Sequence, residues 1–227
     1  MTRRLFGVVA FTAATVMLTG CATLNLYQTA RTAPPGKFEF GGAVTPLLAT
    51  FGDEATFLFF PFPELHARMG LNPNLDIGAR WAFGPGMGLD AKYQFLKGRL
   101  DGAIQGEGTF YGMAAEGASF ALVTLTPRLI LSSEPETGLP FAANAGMTYS
   151  GVLAGAGGES GSGSMLSLVG GFGLPFRIGA TRVVRLMPEL GFGIPLLVTI
   201  EGETETISRH ASVSAGIGVT YVGREEE

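Results

Sequence analysis

The chain has 227 residues, a formal net charge of −4 and a single cysteine. The acidic balance argues against nucleic-acid binding, which needs a basic face, and one cysteine excludes a disulfide within the chain. Hydrophobic residues make up 46% of the sequence, charged residues only 15%, and there are 35 glycines. This composition is unusual for a small soluble domain.

The N-terminus carries a basic pair, Arg3 and Arg4, followed by an apolar run over 5–18 and small residues before Cys21. This pattern is typical of a secretory signal peptide. No later run offers the 18 or so consecutive apolar residues of a transmembrane helix. An exported chain this apolar is therefore predicted to be a membrane β-barrel, the other structure that satisfies its backbone inside lipid.

The sequence Leu18-Thr19-Gly20-Cys21 resembles the lipobox of bacterial lipoproteins. In that family the cysteine thiol is diacylglycerated, the chain is cut before it, and the new N-terminus is acylated. The resemblance implies a signal peptide over 1–20, covalent lipid on Cys21 and the lipoprotein-sorting machinery as a partner. Ala22, where inner-membrane lipoproteins have Asp, favours the outer membrane. An ordinary signal peptide with a chance cysteine is the alternative.

Residues 21–36 contain Pro34-Pro35-Gly36 and are predicted to be a linker between lipid and fold. From residue 37 onward, apolar and polar residues alternate with a period of two, which predicts strands. Short turns are predicted at 72–74, 84–86 and 97–99, and longer connections at 51–62, 112–118, 155–163 and 201–205. The sequence thus predicts an all-β, antiparallel up-and-down transmembrane β-barrel over 37–222 and an acidic tail over 223–227. About ten strands are expected, with eight or twelve as alternatives: 37–50, 62–71, 74–83, 87–96, 99–111, 118–131, 139–153, 164–178, 182–200 and 206–222.

The two faces of these strands differ in charge. One face holds Leu, Ile, Val, Phe, Ala and Gly, as a lipid-facing surface requires. The other holds both signs of charge, which are predicted to pair inside a narrow or plugged lumen because unpaired buried charges are costly. The predicted lumen charge network comprises Glu64, His66, Arg68, Asp76, Arg80, Asp90, Lys92, Asp101, Glu107, Arg185 and Glu189, together with Glu39, Arg99 and Arg128.

Aromatic residues gather at strand ends, as in the interfacial girdles of outer-membrane barrels. In the last strand, Ser214, Gly216, Val219 and Tyr221 resemble the assembly signal that ends such barrels. Residues 37–222 as a whole resemble a small Gram-negative outer-membrane β-barrel. The resemblance implies outer-membrane lipids and the barrel-assembly machinery as partners. An even strand number with a tethered N-terminus predicts that both barrel termini are periplasmic.

Catalytic and metal-binding candidates are few. His210 and Ser212 resemble the His-x-Ser pair of an outer-membrane lipid A deacylase family, but Glu225, the next acid, lies in the tail where it could hardly orient the histidine. Hydrogen bonding in the lumen is the preferred interpretation, and we expect no enzyme activity. His66 with Glu64 is favoured as a lumen ion pair over a metal site. The acidic group Glu201, Glu203 and Glu205 is expected to be a solvated loop, and no metal or cofactor is expected beyond the lipid.

Three functions remain open at this stage. The preferred one is a structural or passive small-solute role for a lipid-anchored outer-membrane barrel. The alternatives are an enzyme that modifies envelope lipids and a lipidated, lipocalin-like periplasmic carrier. The carrier would have its apolar face inward, and the Gly-x-Trp of lipocalins is absent, since Ala79 stands two residues before Trp81. The sequence names no solute and no oligomeric state.

Overall fold

A computed structural model describes residues 25–51, 56–82, 86–115, 118–134, 139–156, 159–178, 183–200, 203–205 and 211–222. This part of the chain is almost entirely β-structure. Within it, no helix is both long and apolar enough to cross a bilayer. The strands are β1 (Phe38–Phe51), β2 (Thr56–Asn72), β3 (Leu75–Ala82), β4 (Gly86–Leu96), β5 (Asp101–Ala115), β6 (Ala118–Ser133), β7 (Phe141–Ala156), β8 (Glu159–Gly173), β9 (Phe176–Ile178), β10 (Val184–Ile200), β11 (Glu203–Glu205) and β12 (Ala211–Val222).

The ten longer strands form one closed antiparallel sheet. Consecutive long strands are hydrogen-bonded neighbours, and β12 pairs with β1 to close the barrel. The short strand β9 continues β8 along the edge of β10, and β11 pairs with the last residues of β10. The predicted up-and-down barrel of ten strands is confirmed.

Several hairpins are longer than the sequence predicts. Strand β2 already begins at Thr56, and the β5–β6 and β7–β8 hairpins pair as far as Ala115 with Ala118 and Ala156 with Glu159. The predictions of long connections over 51–62, 112–118 and 155–163 are therefore largely wrong. The reason is that backbone ladder bonds need no apolar alternation. The strands therefore extend through the unbroken apolar run over 57–62 and through glycine- and serine-rich residues over 155–163, where the pattern does not reveal them.

The two faces point as predicted for a membrane barrel. Outward-facing Leu89 and Ile104 are 71% and 53% exposed, whereas inward-facing Asp76 and Lys92 are 0% and 2% exposed. This arrangement is the reverse of a soluble carrier, whose apolar face points inward. Arg99 departs from the prediction: it lies before the start of β5 and is exposed rather than in the lumen, because the chain is still turning there.

Exposed aromatic side chains form two belts around the barrel. We call the end at which β1 begins and β12 ends the terminal end, and the opposite end the far end. The terminal belt consists of Phe38, Phe40, Tyr93, Phe95, Phe176 and Tyr221. The far belt includes Trp81, Phe110, Tyr149 and Phe192. Two belts that flank an apolar band are typical of a barrel wall in a bilayer.

The orientation of the faces is tested by two neighbouring residues of β5. Replacing outward-facing Ile104 by Arg is expected to lower the free energy of unfolding by about 2–4 kcal/mol, since a charge then faces lipid. The change Gln105→Arg is expected to cost less, because the side chain enters a polar lumen beside Asp90. Urea unfolding in lipid vesicles compares the two; an equal loss, or a larger loss for Gln105→Arg, contradicts the assignment.

Candidate functional site in the barrel lumen

Residues 25–34 lie inside the barrel, and we call them the lumen segment. Leu26, Tyr27 and Ala30 are each at most 1% exposed. The prediction of a linker outside the fold over 21–36 is therefore corrected for this part, while residues 21–24 lie outside the described ranges. The segment is buried because the lumen of ten strands offers polar side chains that hydrogen-bond its backbone.

A turn at the terminal end sends the chain from the lumen into β1. Gly36 adopts a positive φ of 71°, which glycine tolerates without strain. Its amide donates to the carbonyl of Gly70 at 2.9 Å, and the Gly70 amide donates to the carbonyl of Lys37 at 3.1 Å. A Cβ at Gly70 would overlap the carbonyl oxygens of Ala33 and Pro34. The chain therefore passes directly against the inner wall of β2.

Glu189 holds the inner part of the lumen segment by two backbone bonds. Its Oε1 accepts from the amide of Leu26 at 2.7 Å, and its Oε2 accepts from the amide of Tyr27 at 2.6 Å. Tyr27 has a positive φ of 53°, which is uncommon for a residue other than glycine. Successive amides that converge on one anion form the concave arrangement known as a nest. The carboxylate thus stabilises an otherwise unfavourable backbone conformation.

Further polar side chains hold the outer part of the segment. Asp76 accepts from the Ala33 amide at 2.9 Å, and Ser132 Oγ accepts from the Ala30 amide at 2.9 Å. Lys92 Nζ donates to the carbonyls of Thr29 at 3.0 Å and Arg31 at 2.6 Å. Bonds between charged side chains and backbone are among the stronger ones in proteins. The lumen wall therefore satisfies much of the segment's backbone as a neighbouring strand would.

The ring of Tyr27 fills a gap in the wall of β12. A Cβ at Gly216 would overlap the Tyr27 hydroxyl, and one at Gly218 would lie 2.8 Å from the Tyr27 Cβ. The hydroxyl shares a hydrogen bond with Thr45 Oγ1 at 2.7 Å and accepts from Asn25 Nδ2 at 2.8 Å.

Around the segment, the charged side chains pair with one another. Arg68 bridges Asp76 and Asp90. Arg80 lies between two acids, with its Nε 3.2 Å from Glu64 Oε1 and its NH1 3.6 Å from Glu107 Oε1.

The same pairing continues near the terminal end. Lys92 Nζ lies 3.5 Å from Asp76 Oδ2. Arg31 of the lumen segment pairs with Asp101 at 2.9 Å, and Arg185 NH2 lies 3.6 Å from Glu39 Oε2. The structure thus brings the predicted charges together in pairs, and it adds the segment as a partner.

Of the two predicted histidine sites, the structure describes His66 with its neighbours but only Ser212 of the His210–Ser212 pair. His66 lies in the lumen, with Nε2 3.1 Å from Thr220 Oγ1 and Nδ1 4.0 Å from Glu64 Oε1. Ser212 is buried, and its hydroxyl donates to the Gly193 carbonyl at 3.3 Å. His210 lies outside the described residues. Across the described ranges, no group of three His, Cys, Asp or Glu side chains is arranged to hold a metal ion.

Sequence reasoning missed the contribution of Asn25 and Tyr27 and gave Gly216 another role. One signal was present: β12 has two glycines, Gly216 and Gly218, at successive inward positions between Ser214 and Thr220. Small residues on an inner wall leave room that something must fill, because protein interiors are close-packed. The proposed assembly signal at Ser214, Gly216, Val219 and Tyr221 remains a prediction.

The barrel is similar to solved membrane barrels. The outer-membrane protease OmpT from Escherichia coli is 8% identical, with 83% of this chain and 97% of that chain covered and a TM-score of 0.50. The fold is that of an outer-membrane β-barrel. Neisserial surface protein A is 13% identical over 82% and 97% of the two chains, with a TM-score of 0.38. The attachment invasion locus protein Ail of Yersinia pestis is 12% identical over 82% and 98%, with a TM-score of 0.33.

These likenesses are limited to the fold, because all of the identities are low. No protein-family model matches the sequence, and no curated protein matches it either. The role of the chain must therefore be argued from its own lumen.

The fit of Tyr27 is tested by Gly216→Val, with Gly106→Val as the matched control. A valine at 216 collides with the Tyr27 hydroxyl, whereas a Cβ at Gly106 meets nothing within 4 Å. We expect Gly216→Val to cost about 1–3 kcal/mol as overpacking and to release the segment to added protease, with the barrel still folded. Equal protection of the segment in both variants would contradict its position.

Proposed function

We propose that this protein is a lipid-anchored outer-membrane barrel whose lumen is closed by its own lumen segment. Its role is then structural, or passive toward small solutes, rather than catalytic. One observation carries the proposal. Four lumen side chains form hydrogen bonds with the backbone of residues 25–34: Glu189, Asp76, Ser132 and Lys92. Because these groups bind the polypeptide, the lumen is occupied and leaves little room for solutes to pass.

Insertion in the outer membrane is supported by the outer surface. An apolar exterior between two aromatic belts would be costly in water and is typical of a barrel wall in a bilayer. The barrel fold resembles Gram-negative outer-membrane proteins, which supports the same location. On this proposal the terminal end faces the periplasm, since an even number of long strands brings both ends of the barrel sheet to the same side and the exported chain reaches the outer membrane from the periplasm.

The lumen also supports a closed rather than a conducting barrel. Inward side chains also form hydrogen bonds across strands, as for Thr126 with Thr148 at 3.0 Å and Arg128 with Asn144 at 2.9 Å. Asn144 in turn donates to Glu189 Oε1 at 3.4 Å. The wall and the segment therefore form one connected polar network. An enzyme role would need a side chain poised toward lipid, and Ser212 instead faces the lumen.

Conductance in a planar bilayer tests the closed lumen. The chain 21–227, refolded without acyl chains, is expected to give no steady current. A chain that starts at Gly36 lacks the segment and is expected to show discrete open steps that prefer cations. The preference follows because, among the described residues, lumen carboxylates outnumber lumen cations: Glu39, Glu64, Asp76, Asp90, Asp101, Glu107, Glu134 and Glu189 against Arg68, Arg80, Lys92, Arg128, Arg177 and Arg185.

Two results would contradict this proposal. A large, steady current through the refolded full chain would show that the segment does not close the lumen. A truncated chain as silent as the full one would show that side chains alone close it.

The lipid anchor is tested by metabolic labelling in a Gram-negative host. The parent is expected to incorporate labelled palmitate, and Cys21→Ser is expected to lose both the label and cleavage before residue 21, because the thiol is the site of diacylglycerol transfer in lipoproteins. A matched Thr19→Ser change keeps a small residue before the cysteine and should label normally. Equal labelling of the Cys21→Ser protein would remove the anchor.

A further inference from the structure

The far rim of the barrel is markedly lower at one hairpin. Strand β3 ends at Ala82, which pairs with Glu64, while β2 runs on to Thr56 without a β3 partner. On the other side, β4 begins at Gly86, while β5 runs on to Ala115. With a rise of ~3.3 Å per residue and a strand tilt of ~40°, the paired strands end there about 10–20 Å below the ends of β5 and β2. We call this gap between β2 and β5 the rim notch.

The rim notch lies at the height of the far aromatic belt. Met87, the second residue of β4, pairs directly with Phe110, a member of that belt. Met87 is itself 66% exposed on the outer face. Aromatic belts mark the boundary between hydrocarbon and headgroups. On the proposed orientation, the paired barrel wall is therefore lowest at the outer interface of the bilayer.

Behind the notch, the lumen wall is apolar. Tyr111, Leu122 and Val152 are buried inward residues that oppose one another across β5, β6 and β7. Ala82 and Phe120 pack against them, and we call these five residues the apolar lumen patch. A Cβ at Gly86 would overlap the ring of Tyr111, so the patch reaches the edge of the notch. Most of the described lumen below it carries charged and polar groups, which marks the patch as a site of different chemistry.

Asn25, the first described residue of the lumen segment, contacts β10 and β12, across the barrel from this patch. Tyr27 bonds to Thr45, which lies about 18 Å above the start of β1 at Phe38 for a rise of ~3.3 Å per residue and a tilt of ~40°. Asn25 accepts a bond from Ser214, which pairs with Leu48, further still from the terminal end. Cys21 precedes Asn25 by four residues, and four residues span at most ~14 Å. That reach cannot return to the terminal rim, but it covers the height of the patch and the notch.

We propose that an acyl chain carried by Cys21 lies on the apolar lumen patch and leaves the barrel through the rim notch into the outer half of the bilayer. The inference rests on the proposed acylation of Cys21. It assigns to the patch one occupant that is covalently attached, within reach and apolar. The lumen segment would then connect a lipid in the outer half of the bilayer to the inner wall of the barrel.

Photo-cross-linking locates the acyl chain. Cells that express the full chain are fed a fatty acid bearing a mid-chain diazirine, and the purified, irradiated protein is mapped by mass spectrometry. We expect cross-links on peptides that carry Tyr111, Leu122, Val152 or Met87. Cross-links confined to the terminal belt, such as Phe38 and Tyr221, or cross-links to free lipid alone, would overturn the proposal.

Matched variants on β6 separate the patch from the rest of the lumen. Leu122→Asn is expected to reduce the patch cross-links about tenfold, because an amide without a partner is unfavourable beside hydrocarbon. Thr124→Asn, two residues along the same inner face, is expected to leave them unchanged. Folding of each variant is checked by heat-modifiable migration on a gel, and Val152→Asn replaces Leu122→Asn if the latter does not fold. An equal cross-link yield in both variants contradicts the assignment.

The same experiment distinguishes failure of this proposal from failure of the proposed acylation of Cys21. If the diazirine fatty acid is absent from the parent protein, the acylation fails and the inference fails with it. If the fatty acid is present but cross-links at the terminal belt, the anchor stands and the patch assignment is wrong. Insertion of ten Gly and Ser residues after Thr23 should spread the cross-links over the outer wall, because the longer spacer lets the chain escape the lumen.

Discussion

The pair of hydrogen bonds from the Leu26 and Tyr27 amides to Glu189 fixes the arrangement of the lumen. A carboxylate buried at mid-barrel is tolerable only if donors surround it, and here the donors come from the chain's own N-terminal backbone. The remaining hydrogen bonds of the segment, such as those with Asp76 and Lys92, lie between this pair and the terminal end. Fold and closure are therefore a single interaction network.

The barrel itself was predictable because its wall is defined by a strict period of two. Leu89 and Ile104 point outward and Asp76 and Lys92 inward, as the alternation requires. The strand ends were less predictable, since the hairpins around Ala115 and Ala156 are held by backbone pairing that leaves no side-chain pattern. The prediction for Arg99 failed for a related reason. The polar–apolar alternation of the sequence continues through the turn before β5, where the chain is no longer a strand.

The lumen segment was beyond the reach of the sequence. Residues 25–34 show no strand alternation, and Pro34-Pro35-Gly36 indicates a break without telling on which side of the barrel wall the chain continues. The decision depends on complementarity between distant positions, such as Tyr27 against Gly216 and Gly218. Such pairing over nearly the whole length of the chain becomes visible only when the barrel is closed. The same holds for the uneven far rim, which depends on strand register.

The barrel has two distinct internal regions. Toward the terminal end, charged groups hold a polypeptide, and toward the far end, Tyr111, Leu122 and Val152 offer an apolar wall beside a low rim. Polar contacts position the N-terminal segment, and the proposed lipid gives that segment a second attachment.

Disulfide trapping tests the central claim, that residues 25–34 occupy the lumen, most directly. In a Cys21→Ser background, Ala30→Cys is combined with Ser132→Cys, since the Ala30 amide lies 2.9 Å from Ser132 Oγ; Ala30→Cys with Ile104→Cys, which faces outward, is the control. The account predicts nearly complete disulfide formation in the folded barrel for the first pair and none for the second. A folded barrel in which the first pair stays reduced under oxidising conditions would contradict it.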